Sequence, residues 1–98
     1  MIFVVHRLDA PGKSDLRQQH RAAHLEYLAR FQDNILAAGP YLDEDAGEDR
    51  GSLFLVTFET LDQAWAFAND DPFTTAGIFS ELQVWPWTQR IGRLAVTD

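Results

Sequence analysis

The stretch SLFLVTFETLDQAWAFAND, residues 52–70, changes from strand patterning to helix patterning. Residues 52–59 are rich in aromatic and branched apolar side chains, which is typical of a β-strand. Thr60 is followed three residues later by Gln63, the arrangement of a capping box at the start of a helix. An apolar stripe at helical spacing follows, made of Leu61, Ala64, Trp65 and Ala68. The stretch therefore predicts a strand that leads directly into an amphipathic helix.

The residues before this unit predict a strand and a longer helix. Residues 2–8 are apolar on both faces and β-branched, which indicates a first strand. The helix is predicted to begin with Ser14 as its N-cap, and its apolar positions continue at helical spacing as far as Ile35. The Ala-Ala-Gly-Pro run at 37–40 is then expected to stop the helix and lead to a short segment around 40–42.

The residues after the second helix predict a turn and a last strand. That helix is expected to end near Asp70, because a residue that precedes proline, here Asp71, is disfavoured in the α region. The DPFTTAG segment predicts one short helical turn with Pro72 in its first position. Residues 81–87 predict a strand, and Pro86 limits it to a sheet edge because proline donates no ladder hydrogen bond.

The order of the predicted elements defines a fold class. The acidic segment 43–51 predicts a loop, so the elements follow one another as β-α-β-β-α-β. This is a split-βαβ arrangement of the α+β class, with an antiparallel sheet and two helices on one face. Residues 1–98 are predicted to form a single domain, because the chain is too short for a second core. Residues 88–98 are expected to form a C-terminal tail.

Both faces of the predicted sheet are apolar, which has a consequence for assembly. Two helices can cover only one face of a four-stranded sheet. The strand alternation sets Leu53, Leu55 and Thr57 on one face against Phe54, Val56 and Phe58 on the other. Monomers rarely expose a large apolar patch. We therefore expect a homodimer in which the two open sheet faces meet.

Composition excludes several classes of partner. Fifteen acidic residues against eight basic residues give a net charge of −7, which argues against nucleic acid and against an anionic membrane surface. The absence of cysteine excludes disulfides, thiolate metal sites and a cysteine nucleophile. The N-terminal MIFVVHRL predicts no signal peptide, and no apolar run approaches the roughly 20 residues of a membrane span. These features predict a cytoplasmic protein.

Two residues are candidates for proton chemistry. His24 lies in the apolar stripe of the first helix, where an imidazole is either a hydrogen-bonded core residue or a general acid–base. Asp71 lies before Pro72, where it either caps the helical turn or accepts a hydrogen bond from an imidazole and orients the ring. The residues alone leave both interpretations open, and a carboxylate with two oxygens can serve both purposes.

Other polar residues are weaker candidates for binding a substrate. Arg17 and Arg21 lie on turns next to His24, where they either bind a carboxylate or phenolate or belong to an ordinary solvated face. Ser52 either donates to a ligand or simply begins its strand. His20 and His24 are four residues apart, but a zinc site usually needs further ligands. We therefore expect neither a metal nor an organic cofactor.

Four short motifs follow one another along the chain in a defined order. They are Arg-x3-Arg-x2-His-Leu at 17–25, Ala-Gly-Pro at 38–40, Gly-Ser at 51–52, and Asp-Pro-Phe with Ala-Gly at 71–77. With these motifs the chain resembles the YCII-related (YciI-like) family from residue 2 to about residue 87. The resemblance implies a ferredoxin-like fold that pairs into a dimeric α+β barrel. It also implies that a histidine and an aspartate meet in a pocket, and by position these are His24 and Asp71.

The resemblance favours an enzymatic function over the alternatives. Some members of the family act on chlorinated hydroquinone-type aromatics. We therefore expect a cofactor-independent lyase or isomerase that acts on a small cyclic or aromatic molecule, with His24 as the acid–base and Asp71 as its partner. Arg17, Arg21 and Ser52 would hold a polar group of the substrate. The alternatives are a non-catalytic small-molecule binding dimer and a purely structural dimer.

Overall fold

A four-stranded antiparallel sheet carries helices on one face, which confirms the predicted α+β class and split-βαβ order. The computed structural model describes residues 1–45 and 47–95. The elements in chain order are β1 (Ile2–Asp9), α1 (Ser14–Ala29), β2 (Ile35–Leu42), β3 (Asp49–Thr57), α2 (Leu61–Asp70), α3 (Pro72–Thr75) and β4 (Phe79–Trp87). Among the described residues, no helix is long and apolar enough to cross a membrane.

The strands lie in the order β2-β3-β1-β4, so β1 and β3 occupy the centre of the sheet. Within the described part of the chain, the last strand pairs only with β1, where Pro86 lies opposite Phe3. The predicted edge position of Pro86 is therefore confirmed, although the strand begins at Phe79 and not at residue 81. Residues 88–95 contain no helix or strand. The rest of the predicted tail, residues 96–98, lies outside the described residues, and the single domain over 1–98 stays a prediction.

The first helix is shorter than its apolar spacing predicts. It ends at Ala29, and Ile35 begins β2, where it pairs with Val56 of β3. The prediction of a helix continuing to Ile35 and stopped by residues 37–40 is therefore wrong. Apolar spacing alone does not distinguish helix from strand here, and pairing with the distant β3 decides the outcome. Pro40 is tolerated because β2 is an edge strand.

The remaining corrections concern element ends. Lys13, and not Ser14, is the N-cap of α1, and no side chain caps this helix. The hairpin between β2 and β3 extends to the pair Leu42–Asp49, so residues 49–51 of the predicted loop at 43–51 belong to β3. The third strand ends at Thr57 and not at residue 59, because the chain turns there toward the capping box of α2.

The second half of the chain follows its sequence signals closely. Both hydrogen bonds of the predicted capping box are present between Thr60 and Gln63. The second helix ends at Asp70, as predicted. The short α3 begins with Pro72, and its N-cap Asp71 accepts a hydrogen bond from the backbone N–H of Phe73. Local chemistry thus specifies this segment without help from distant pairing.

The core lies between the sheet and the helices. Its buried members are Phe3, Val5, Phe54, Val56, Ala64, Phe67, Ala68 and Val84. Tyr27 and Leu28 of α1 only pack against the border of this cluster, and no residue of α1 is fully buried. Because α1 lies less deeply on the sheet than α2, room remains between α1 and β2.

No helix of the described residues lies on the opposite face of the sheet. Strand alternation places Leu53 and Trp85 there, and these side chains are 39% and 59% exposed. The predicted alternation is confirmed, because Phe54 and Val56 belong to the helix-side core. This surface, which we call the open face, also carries His6, the neighbour of Arg7 on β1.

Candidate active site

A cavity of about 260 Å³ occupies the room between α1, β2 and the start of β3. Its polar lining is Arg17, Arg21, His24, Asp49 and Ser52. Its apolar lining includes Leu25, Leu28, Ala38, Pro40, Phe54 and Phe73. Four of the five site residues predicted from sequence therefore share one cavity. A larger hollow of about 520 Å³ lies beside Met1 and residues 86–90, but no imidazole or carboxylate side chain lines it.

His24 and Asp71, 47 residues apart in sequence, are in direct contact. The Nδ1 atom of His24 lies 2.8 Å from Oδ1 of Asp71. The imidazole stacks on Phe73, with ring centroids 3.8 Å apart and planes 7° from parallel. These two contacts hold the ring in one orientation. Its second nitrogen, Nε2, forms no hydrogen bond with any of the described residues.

Asp71 lies behind His24, outside the lining of the cavity, and is fully buried. Its Oδ1 accepts a hydrogen bond from the backbone N–H of Phe73 at 2.9 Å as well as contacting His24. Capping of α3 and contact with the imidazole, the two predicted alternatives for Asp71, are therefore present together. The turn that ends α2 places the carboxylate, and the carboxylate in turn places the imidazole.

Arg7 also belongs to this cluster, although no sequence motif indicates it. Its Nη1 donates to Oδ2 of Asp71 at 3.0 Å, and both side chains are fully buried. The same nitrogen lies 3.3 Å from Oγ1 of Thr74. The available signal was strand alternation, since Arg7 lies on the same face of β1 as the core residues Phe3 and Val5.

The pKa of Asp71 lies below its ordinary value. Burial alone would raise it, but the hydrogen bond with His24 and the positive charge of Arg7, together with the N–H of Phe73, outweigh burial. The carboxylate is therefore ionised at neutral pH and acts only as an acceptor. This assigns the hydrogen on His24 to Nδ1 and leaves the lone pair on Nε2 when the ring is neutral. Burial also lowers the pKa of Arg7, against the opposing effect of Asp71, but a guanidinium stays protonated.

The two predicted arginines, Arg17 and Arg21, differ in their ion pairs within the protein. Arg17 donates from Nε and Nη2 to the two carboxylate oxygens of Asp9, and its Nη1 lies 3.6 Å from Asp49. Its charge is therefore largely used within the protein. Arg21 is exposed at the cavity rim. Of the two, Arg21 is better placed to meet an anionic group in the cavity.

Ser52 lines the cavity at the start of the close contact between β1 and β3. Its hydroxyl oxygen is buried and has no hydrogen-bond partner among the described residues. The preceding Gly51 has a φ of +153°, and a Cβ there would lie 2.1 Å from the carbonyl oxygen of Arg7. Only glycine allows the two strands to approach this closely. The Gly-Ser motif therefore places an unpartnered hydroxyl at the cavity wall.

His20 does not line this cavity. Within residues 1–45 and 47–95, no group of three or more His, Cys, Asp or Glu side chains is placed to hold a metal ion.

Comparison with known proteins identifies the family. The model of the YCII-related domain matches residues 1–88. The chain belongs to the YCII-related domain family. Protein YciI of Escherichia coli is 31% identical over 94 residues, which cover 89% of this chain and 96% of that protein. An uncharacterised protein of Haemophilus influenzae is 32% identical over 94 residues, with the same shares of the two chains covered.

A solved structure is similar to this YCII-related chain. It is the 5-chloro-2-hydroxyhydroquinone dehydrochlorinase of Burkholderia phenoliruptrix in complex with 2,5-dihydroxybenzoquinone. The sequences are 36% identical, the TM-score is 0.84, and the match covers 90% of this chain and 94% of the other. The match confirms the ferredoxin-like fold of the dimeric α+β barrel type.

Proposed function

We propose that this YCII-related protein is an enzyme in which His24 transfers protons on a small cyclic or aromatic substrate. One observation carries the proposal. The imidazole is held by Asp71 at 2.8 Å through Nδ1, at the wall of a cavity of about 260 Å³, and its Nε2 is not engaged by the described residues. An oriented imidazole with one nitrogen available is the requirement for general acid–base catalysis near neutral pH.

The geometry supports a definite sequence of proton movements. The neutral ring takes a proton from a C–H or O–H group of the substrate at Nε2, and the electron pair of that bond shifts into the substrate. It either forms a new double bond, as in an isomerisation, or expels a leaving group, as in an elimination. The ionised Asp71 stabilises the imidazolium that forms, because its oxygen accepts the Nδ1–H. The imidazolium then returns its proton to the product or to solvent.

The proposed substrate is a hydroxylated ring. The similar dehydrochlorinase was solved with 2,5-dihydroxybenzoquinone, and the cavity here combines an apolar lining with a few polar groups, as small-molecule sites do. Ser52 would donate to or accept from a ring hydroxyl, and Arg21 would bind a phenolate oxygen. Arg17, which Asp9 already binds, would contribute mainly by supporting the cavity wall.

The test begins with a thermal-shift panel of hydroxylated benzenes, quinones and lactones, since a ligand that binds the native state raises its melting temperature. A compound that binds is then assayed for turnover with His24→Gln and with the matched control His20→Gln on the same helix. We expect His24→Gln to lower kcat by about 10²–10⁴-fold and the control to keep it. Full turnover by His24→Gln refutes the acid–base role. Binding without turnover by the unaltered protein would indicate the non-catalytic binding dimer instead.

We also propose that two chains pair through the open face. Leu53 on this face and Leu61 on the helix side are both 39% exposed. Leu53 therefore serves as the test position and Leu61 as its matched control. Sedimentation equilibrium of the unaltered chain should give twice the 11.1 kDa of one copy. Leu53→Glu should lower that mass toward a single copy, because it buries a charge between the sheets. Leu61→Glu should not change it. A single-copy mass for the unaltered chain at micromolar concentration contradicts the pairing.

A further inference from the structure

We propose that Arg7 is a positioning residue, which keeps Asp71 ionised and aligned so that His24 presents an unprotonated Nε2 to the cavity. The inference rests on the proposed function of His24, and it adds a residue that none of the four family motifs contains. Arg7 itself does not line the cavity. It would act on the substrate only through Asp71 and His24.

The contacts of Asp71 divide between its two oxygens. One oxygen, Oδ1, is shared by His24 and the N–H of Phe73, and the other, Oδ2, receives Nη1 of Arg7 at 3.0 Å. Arg7 is held in turn by Thr74, whose hydroxyl donates to the carbonyl of Ala68 at 2.6 Å. The carboxylate is thus fixed from both sides, and Arg7 is its only cationic partner apart from a protonated His24 among the described residues.

The surroundings of Arg7 are mainly apolar and would suit an apolar side chain better than a guanidinium. Its guanidinium carbon lies 5.0 Å from the ring centre of Phe54 and 4.9 Å from that of Phe79. Its Nε and Nη2 are buried and have no hydrogen-bond partner in the described part of the chain. The two rings offset part of the cost of burying the charge, but unpartnered donors remain unfavourable. An apolar side chain would fill such a volume equally well. An apolar side chain could not, however, neutralise the negative charge of Asp71.

The electrostatic consequence has a definite sign. With Arg7 in place, the buried carboxylate is compensated, and it does not need a protonated imidazole as its counter-ion. Without Arg7, His24 is the remaining partner that can supply a positive charge, so the ring should hold its proton to higher pH. The other charged groups lining the cavity beside His24 are Arg17 and Arg21 on α1 and Asp49 on β3. All three are retained in every variant below.

Titration of His24 by NMR tests the inference without any substrate. In Arg7→Met, whose side chain is apolar and of similar length, the midpoint for His24 should rise by about one pH unit or more. In Asp71→Asn, which leaves Arg7 uncompensated beside the imidazole, the midpoint should fall. Shifts of opposite sign support the positioning role. An unchanged or lowered midpoint in Arg7→Met overturns it.

Two further variants separate charge from packing. Arg7→Lys keeps a positive charge, so it should restore the midpoint of the unaltered protein. Thr74→Val removes the hydroxyl that Arg7 also contacts but leaves the ion pair, and should leave the midpoint in place. A shift in Arg7→Lys as large as in Arg7→Met would assign the effect to packing and overturn the inference.

A measurement on the unaltered protein keeps the inference testable if Arg7→Met does not fold. The carboxyl carbon of Asp71 should show an ionised group throughout the pH range in which His24 titrates. Uptake of a proton by Asp71 in the same step would show that Arg7 does not compensate it. Once a substrate is known, the acidic limb of the kcat profile in Arg7→Met should move to higher pH with KM little changed. If His24→Gln keeps full turnover, the proposed function fails, while these titrations still decide the role of Arg7.

Discussion

His6 of β1 and His24 of α1 lie on opposite sides of the sheet, and their rings are bound in different ways. On the helix side, His24 lines a cavity and contacts Asp71 through Nδ1, while its Nε2 forms no hydrogen bond with the described residues. On the open face, His6 contacts the hydroxyl of Tyr41 at 2.8 Å through Nδ1 and Glu81 at 2.9 Å through Nε2. A ring with both nitrogens engaged is a crosslink between strands. A ring with one nitrogen available can exchange a proton with a ligand.

The carboxylates of the two clusters differ as much as the histidines. Asp71 is fully buried and has Arg7 as a counter-ion, whereas the side chain of Glu81 is 41% exposed and that of His6 is 26% exposed. The difference originates in two adjacent residues of β1, because alternation sends His6 to the open face and Arg7 to the core. Burial also raises the pKa of Tyr41, with a further contribution from Glu81, so its hydroxyl stays protonated. Two adjacent residues of one strand thus belong to a buried charged cluster and to a partly exposed hydrogen-bond network.

The largest expected effect is on stability. Removing one partner from the buried pair, as in Arg7→Met, should lower the free energy of unfolding by about 3–5 kcal/mol, because a buried charge loses its counter-ion. In the Leu53→Glu background, which leaves the open face unpaired, Glu81→Gln should cost only about 0.2–1 kcal/mol, because the Glu81 side chain is 41% exposed in a single chain. Urea denaturation measures both. The double variant Arg7→Met/Asp71→Asn should lose less than the two single variants together, since neither charge is left unpaired. Equal losses on the two faces would remove the contrast between the clusters.

An intermediate effect is expected on the pH dependence of the free energy of unfolding. Because the pKa of Asp71 is lower in the folded protein than its ordinary value, ionisation of this group contributes stability above about pH 4. That contribution is lost as pH falls through the lowered pKa of the folded state. Urea denaturation between pH 6 and pH 2 should therefore show a steeper acid loss for the unaltered protein than for Asp71→Asn. The Glu81→Gln variant should keep the steep acid loss. Identical acid profiles for all three proteins would mean that Asp71 titrates normally.

A small effect is also expected from the hydroxyl of Tyr41 on the open face. Tyr41→Phe removes the hydroxyl that contacts His6, and the free energy of unfolding should fall by about 0.5–1.5 kcal/mol, the usual worth of one hydrogen bond. Turnover should not change, because this network faces away from the cavity. Denaturation and the assay of the identified substrate check the two parts. A large loss of turnover in Tyr41→Phe would show that the open face takes part in the chemistry.

The segment from β3 to α3 was predictable because its signals are local. The capping box at Thr60 and Gln63 and the proline at position 72 each determine backbone geometry within a few residues of themselves. The end of α1 was not predictable in this way. Ile35 fits a helical stripe as well as a strand, and its pairing with Val56, 21 positions away, made it a strand residue.

The candidate site shows the same division. His24, Arg21 and Ser52 could be proposed from residue type and motif, and the structure brings them to one cavity. Arg7 could not be paired with Asp71 from sequence, because 64 residues separate them and nothing local to either indicates the other. The sequence could place Arg17 at the cavity. It could not show that Asp9 already binds this guanidinium, because that bond depends on where β1 meets α1.

By itself, the sequence determined the order of the elements, the two apolar faces of the sheet and the turn at residues 71 and 72 that aims a carboxylate. These depend on side-chain periodicity and on backbone preferences of neighbouring residues, which act over one or two turns of chain. Only the tertiary structure decided where α1 stops, which arginine is buried, and which histidine has a ring nitrogen without a hydrogen bond to the described residues. Those outcomes depend on burial and on charges meeting across 47 to 64 residues, and electrostatic interactions gain their strength only once packing has excluded water.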